Sequence, residues 1–259
     1  MKKYIHIPQE LFYLVNCLYL AMSRRKLILC CTYHKTGTVL FSHILRDIAR
    51  EFQLKFQSCF QYQVNRDTDI WLQNHSRVNF KLLGRPYSGI HVIRDPRDVV
   101  VSGYFYHLRC SEAWCLKPKT HLQGKSYQDY LKSLSQEEGL IFEMTHVAKY
   151  TINTMAQWNY HNSCALEFKY EDIMTNYEQC FRKIFTYWGF GEPELEKCLE
   201  IAHRHNVNRL SEDELKKNSH IHSKELCKWK KHFSERHLNM FQELYGDILV
   251  KLGYESNNF

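Results

Sequence analysis

The sequence predicts an α/β fold, a single domain with a central, mostly parallel sheet flanked by helices. Two observations carry this. First, β-prone apolar runs at residues 26–33, 90–93 and 165–168 are each followed by helix-like patterns. Such alternation of strand and helix favours parallel strands joined by helical crossovers that cover both sheet faces. Second, two of the strand-to-helix junctions are rich in Lys, Arg, Ser and Thr, at Thr32 to Thr38 and at Arg94 to Ser102. A helix start presents free N–H groups, so such junctions are where α/β proteins hold anions. Two of them predict a ligand with two separated anionic groups.

Taken along the chain, residues 11–22 are apolar apart from Asn16. Pro8, Gln9 and Glu10 interrupt the approach, and Arg24-Arg25-Lys26 follow where a leader peptide would carry a small-residue cleavage site. The run is too short to span a bilayer. Residues 1–25 are therefore expected to be a helical segment packed on a domain of residues 26–259, with no stable membrane insertion. Residues 38–52 read as a helix, because Leu40/Phe41, Ile44/Leu45, Ile48 and Phe52 recur at helical spacing. Residues 53–77 read as polar and irregular around an apolar Trp71-Leu72, 78–83 as a short strand, and 84–89 as a turn. Asp95-Pro96 supplies a cap and a first-turn proline for the next helix. Residues 109–135 read as a surface excursion with at most a short helix. Leu140, Met144, Val147/Ala148, Thr151, Met155 and Trp158 predict one long helix. Further helices are expected at 177–188, stopped by Gly189, and at 192–205. Residues 206–228 read as a polar loop. Ser234 caps a last helix carrying Leu238, Phe241, Leu244/Tyr245, Ile248 and Leu252 on one face.

The chain has 259 residues, 44% of them apolar, enough to bury one α/β core. Its formal charge of +7 suits polyanionic ligands in general. It contains no uninterrupted basic block and no recognised nucleic-acid module, so nucleic acid is not expected as a partner. None of the ten cysteines forms a C-x-x-C pair, and Cys30-Cys31 lie within an apolar strand. Reduced cysteines in a cytoplasmic protein are the expected state, although Cys110 and Cys115 flank a loop short enough to pair under oxidation. No metal-ligand spacing is present.

At the first junction, Lys35-Thr36-Gly37-Thr38 places a point charge and two hydroxyls around a glycine that lets the backbone approach an anion. It is not a Walker loop, because Lys precedes Gly. The second junction holds Arg94-Asp95-Pro96-Arg97-Asp98, with Ser102 eight residues after Arg94.

Together the two segments resemble the sulfotransferases that use 3′-phosphoadenosine 5′-phosphosulfate (PAPS). In that family a Lys-[Ser/Thr]-Gly-Thr loop binds the 5′-phosphosulfate. An Arg-x-Pro-[Lys/Arg]-Asp segment followed by Ser binds the 3′-phosphate. The resemblance implies a P-loop-like sulfotransferase fold, PAPS as co-substrate and no metal. It assigns Lys35, Thr36, Gly37, Thr38 and the adjoining Val39 to the 5′ side of the cofactor, and Arg94 and Ser102 to the 3′-phosphate. Lys169-Tyr170-Glu171-Asp172 is similar to a family segment whose Tyr lies on the adenine side, which gives Tyr170 that role. Trp229-Lys230-Lys231-His232-Phe233-Ser234 is similar to a C-terminal family segment. Upstream of it the family carries Arg-[Lys/Ser]-Gly for the 3′-phosphate, where this chain has His222-Ser223-Lys224. Arg and Gly are both absent, and Lys224 is the remaining source of charge.

The implied chemistry is in-line transfer of a sulfuryl group to a hydroxyl or amine. Lys35 stabilises charge on the leaving bridging oxygen, and a general base takes the acceptor's proton. The family's base is a His about twenty residues before the 3′-phosphate Arg. His75 precedes Arg94 by 19, so it is the expected base, with His34 and His107 as alternatives. The motifs do not name the acceptor. A small molecule is expected, in a pocket that the 109–145 excursion helps to build from Glu112, Trp114, Glu137, Glu138 and Glu143. A nucleotide or small-molecule kinase and a non-catalytic cofactor-binding protein are the competing readings.

Overall fold

A computed structural model describes residues 26–211, 213 and 224–256. The expected helix at residues 11–22, and His222 and Ser223, lie outside the described residues.

Five parallel strands form the sheet: β1 (Leu27–Cys31), β2 (Phe56–Ser58), β3 (Ile70–Gln73), β4 (Tyr87–Ile93) and β5 (Ala165–Lys169), in the order β2-β3-β1-β4-β5. Cys31 pairs in register with Gln73 on one side and His91 on the other, so the C-terminal ends of the central strands align. Strand β1 alternates its side chains. Ile28 and Cys30 join a core with α1 (Thr38–Glu51), α7 (Tyr170–Thr175), α8 (Tyr177–Tyr187) and α9 (Glu194–Arg204). Leu27, Leu29 and Cys31 face the opposite side, where Trp71 and Trp158 pack. A third cluster, around Tyr33 and Ile93, includes α2 (Pro96–His107), α4 (Tyr127–Lys132), α5 (Gln136–Thr145), α6 (Val147–Ala156) and α11 (Glu235–Tyr245). The layered α/β architecture is the one the sequence predicts.

Several boundaries differ. The strand expected at 78–83 is a 3-10 turn, Phe80–Leu82, in which the Asn79 side chain accepts from the Lys81 N–H and Leu82 is exposed. The strand lies instead at β3, built on Trp71-Leu72. It is buried on both faces and so needs no polar alternation. Strand β4 begins at Tyr87, within the expected turn. Gly89 belongs there because a Cβ would stand 3.2 Å from the Cys164 carbonyl oxygen. The long helix expected over 140–158 is two, α5 and α6, broken at His146 with ψ −97. The excursion holds two helices, α3 (Ala113–Leu116) and α4, the latter capped by Ser126 accepting from the Asp129 N–H. After the short α10 (Trp229–His232), the last predicted helix also divides. Helix α11 stops at Gly246, with φ 54, before the short α12 (Ile248–Lys251). The nine described cysteines are free thiols, Cys110 and Cys115 included. Among the described residues no helix is long and apolar enough to cross a membrane.

Candidate active site

The loop between β1 and α1 is built by its own hydroxyls. Thr36 is fully buried; its Oγ1 accepts from the Tyr33 N–H at 2.7 Å and donates to the Tyr33 carbonyl at 3.1 Å. Thr38 Oγ1 donates to the same carbonyl at 2.8 Å. These bonds close a tight turn in which Lys35 takes φ 66 and Gly37 φ 100. A left-handed lysine is strained, and the threonine staples hold it there. Gly37 also permits a close approach, since a Cβ on it would meet the Tyr170 ring at 3.1 Å. Thr36 is thus a scaffold of the loop. The expectation that its hydroxyl faces an anion is corrected, because that hydroxyl is spent within the turn.

Arg94 directly follows β4 and reaches back to this loop. Its Nη1 donates to the Lys35 carbonyl at 3.2 Å, and its Nη2 to Asp98 Oδ2, also at 3.2 Å. The guanidinium lies 4.8 Å from the centre of the Tyr170 ring. Arg97, in the same segment, turns away to Asp95, Glu255 and the Trp229 ring. The two junctions singled out in the sequence are therefore joined directly, by Arg94 bracing the Lys35 loop.

Both open onto one cavity of about 730 Å³. It is lined by Lys35, Gly37, Thr38, Val39, Arg94, Ser102, Tyr170, His75 and Lys224, so every described residue proposed from the sequence for the cofactor or the base, except Thr36 and the alternative base His107, borders it. Tyr106, Glu112, Trp114, Val147, Tyr150 and Thr151 also line it, as do His43, Arg204, His205, Val207, Leu210 and Leu226. The half-buried His75 donates its backbone N–H to Gln73 Oε1 at 2.7 Å, and its ring meets Tyr150 edge-on at 6.1 Å. Burial, then Arg77, holds its pKa below the ordinary imidazole value.

The alternative histidines stand differently. His34 lines the cavity but lies stacked on His107, ring centres 5.0 Å apart. His107 is fully buried behind it, with Nδ1 2.8 Å from Glu143 Oε2. Of the acidic candidates, only Glu112 borders the cavity. It accepts from the Tyr106 hydroxyl and the Trp114 indole. Glu143 is buried against His107 and Tyr127, while Glu137 and Glu138 pair with Arg236 on the surface. The expectation that Glu137, Glu138 and Glu143 line an acceptor pocket is thereby corrected.

The electrostatics converge on an anion. Burial and then Arg94, Lys228 and Arg109 push the Lys35 pKa down from 10.5 to about 7. Arg94 Nε is buried with no hydrogen-bond partner. Clustered, partly desolvated cations repel one another until an anion enters. Sequence reasoning missed Lys228, which also lines the cavity. The only signal for it was its place immediately before the Trp229-Lys230 segment. Lys224 borders the cavity, but its ammonium donates to the carbonyls of Asn208, at 3.1 Å, and Leu210.

A fold in which a lysine loop after β1 and an arginine after β4 share one electropositive cavity is that of the sulfotransferases. The family model described as the sulfotransferase domain matches residues 81–253, well over half of the chain, and the chain belongs to that family. The matched span contains Arg94, Ser102, Tyr170 and Lys228. The Lys35 loop and His75 precede it and enter the site through the fold. Two solved structures share the architecture. Mouse sulfotransferase SULT7A1 complexed with PAP has 15% identity and a TM-score of 0.56, over 90% of this chain and 87% of that one. Retinol dehydratase in complex with androsterone and inactive cofactor PAP has 13% identity and a TM-score of 0.52, over 92% and 85%. No curated protein matches the chain in sequence.

Proposed function

We propose that the chain transfers a sulfuryl group from PAPS to a hydroxyl or amine of a small molecule and releases adenosine 3′,5′-bisphosphate. The observation that carries this reading is the 3.2 Å bond from Arg94 Nη1 to the Lys35 carbonyl. It sets two cationic junctions side by side in one cavity, as a nucleotide with anions on both its 5′ and 3′ positions requires. Lys35 and the N–H groups at the start of α1, where Thr38 and Val39 line the cavity, would hold the 5′ group. Arg94 and Ser102 would hold the 3′-phosphate, with Tyr170 beside the base. The buried Arg94 Nε, which makes no hydrogen bond and lies 3.9 Å from Glu171 Oε1, and the depressed Lys35 pKa both fit such a dianionic guest.

His75 faces the same cavity and takes the acceptor's proton as the new sulfur–oxygen or sulfur–nitrogen bond forms. Lys35, as its cation, stabilises the charge that collects on the bridging oxygen when the old sulfur–oxygen bond breaks. Positioning and electrostatics thus supply the catalysis, as in phosphoryl transfer. The reaction is written without a metal, as the resemblance implies.

Tyr106, Trp114, Tyr150 and Val147 give the cavity an apolar, aromatic wall, with Tyr150 against His75, which suits a compact acceptor. The androsterone of the retinol dehydratase structure is a ligand of that size class. Free thiols at all nine described cysteines, five of them buried, support the cytoplasm as the compartment. Incubation with sulfur-labelled PAPS and a panel of phenols, alcohols and amines tests the reading. Label on one class of small molecule, with stoichiometric adenosine 3′,5′-bisphosphate, is expected. Label only on long glycosaminoglycans or protein tyrosine would overturn the small-molecule acceptor, and no transfer at all would overturn the activity.

A further inference from the structure

The C-terminal segment brings to the cavity a cation that the motifs do not assign. Lys228 is only 5% exposed and borders the same cavity as Lys35, Arg94 and Ser102. The neighbouring Trp229 fixes its position. The Trp229 N–H donates to Asp98 Oδ1 at 3.0 Å, while Asp98 Oδ2 holds Arg94 Nη2 at 3.2 Å. One carboxylate therefore pins Arg94 and the Lys228–Trp229 peptide to a common point. Cys227, with φ 55, turns the chain into that position.

Among the described residues the Lys228 ammonium has no ion-pair partner, and each Asp98 oxygen already has a bond of its own. Arg94 Nε is also buried without a hydrogen-bond partner. Arg94 already has Asp98 and, at 3.9 Å, Glu171 Oε1 as charge partners, so Lys228, buried on the same cavity, is the cation that still needs an anion. Lys224 is placed otherwise, because its ammonium is occupied by the Asn208 and Leu210 carbonyls.

We propose that Lys228 is a direct ligand of the phosphate monoester held by Arg94, and that it, rather than Lys224, supplies the charge of the C-terminal segment. The inference rests on the PAPS reading above. Chemically the pair is complementary: the guanidinium offers a planar fork to two phosphate oxygens, and the ammonium is a point charge for a third. Burial first, and Arg94 next, lowers the Lys228 pKa to about 8, and an arriving phosphate dianion would reverse that shift.

The test is calorimetric titration of adenosine 3′,5′-bisphosphate and adenosine 5′-phosphate into the parent chain and into Lys228→Met, Lys228→Arg and Lys224→Met. The preference for the bisphosphate, a ratio taken on one protein sample, does not move when part of the sample is merely misfolded. Lys228→Met should reduce that ratio about tenfold or more, the worth of a charge-assisted bond, and Lys228→Arg should restore most of it. If Lys228→Met does not fold, Lys228→Gln takes its place. A parental ratio in Lys228→Met, or a loss confined to Lys224→Met, overturns the assignment of Lys228. A parent chain with no preference for the bisphosphate overturns the PAPS reading itself, and this inference with it.

Discussion

The backbone N–H of Trp229 donates to Oδ1 of Asp98 at 3.0 Å, a bond that spans 131 positions of the chain. Asp98 is fully buried, and its other oxygen holds Arg94. One side chain thus couples the C-terminal segment to the arginine of the second junction. Removing it leaves a buried guanidinium short of its partner and a peptide N–H unpaired. Asp98→Ala should lower the unfolding free energy by about 3 kcal/mol and weaken bisphosphate binding. Asp98→Asn, which keeps an acceptor, should lose less stability. Denaturant titration of both variants checks the order. Equal stability of Asp98→Ala and the parent would contradict it.

Lys35 carries a pH signature. Its pKa falls from 10.5 to about 7 on folding, through burial and then Arg94. Between those values the unfolded chain binds more protons than the folded one, so stability should rise with pH across that window. Lys228, lowered to about 8, adds to the rise above that pH. Lys35→Met should make the dependence shallower and raise stability most below pH 7, where the buried charge is fully present. Denaturant midpoints from pH 6 to 9 measure this, and identical slopes in the two proteins would refute it.

His75 is expected to be the base. His75→Asn should abolish turnover while leaving bisphosphate affinity within about twofold of the parent, since the proposed role of the ring is toward the acceptor and not the cofactor. Burial lowers its pKa, so the acidic limb of kcat should fall below 6.5. An active His75→Asn alongside an inactive His34→Asn or His107→Asn would move the base to the stacked pair.

Behind that pair the helices approach closely at Gly103. A Cβ on Gly103 would stand 2.5 Å from Glu143 Oε1. The carboxylate is anchored through its other oxygen, Oε2, which accepts from Tyr127 at 2.8 Å and lies 2.8 Å from His107 Nδ1. Gly103→Ala should therefore destabilise the chain by about 1–3 kcal/mol, more than its better helix propensity returns. Thermal unfolding reads the change; a stabilised variant would mean that Glu143 is free to move.

The features legible in the sequence were those set by local chemistry. Lys35, Gly37, Arg94 and Tyr170 follow strand ends and Ser102 lies two turns into the next helix, so one segment of chain is enough to suggest an anion site. The cavity joins them as the two junctions predict. Less legible was whatever depends on contacts across the chain. Trp71-Leu72 did not reveal a strand, because a short strand buried on both faces has no alternation to read. The break at His146 left the helical spacing of 140–158 intact. Glu143 looked like a surface acid until α5 packed it against His107. Thr36 looked like a ligand because its bonds to Tyr33 form only in the folded turn. Lys228 was hidden among neighbouring lysines, and only the bond from Trp229 to Asp98 sets it beside Arg94.

The central claim is that Lys35 faces the breaking sulfur–oxygen bond. Its most direct test is single-turnover sulfuryl transfer from PAPS by the parent chain and by Lys35→Ala, at saturating acceptor. Removal of one such electrostatic group should slow transfer ~100-fold or more, while the variant keeps its fold by circular dichroism. Transfer at the parental rate by a folded Lys35→Ala would contradict the account.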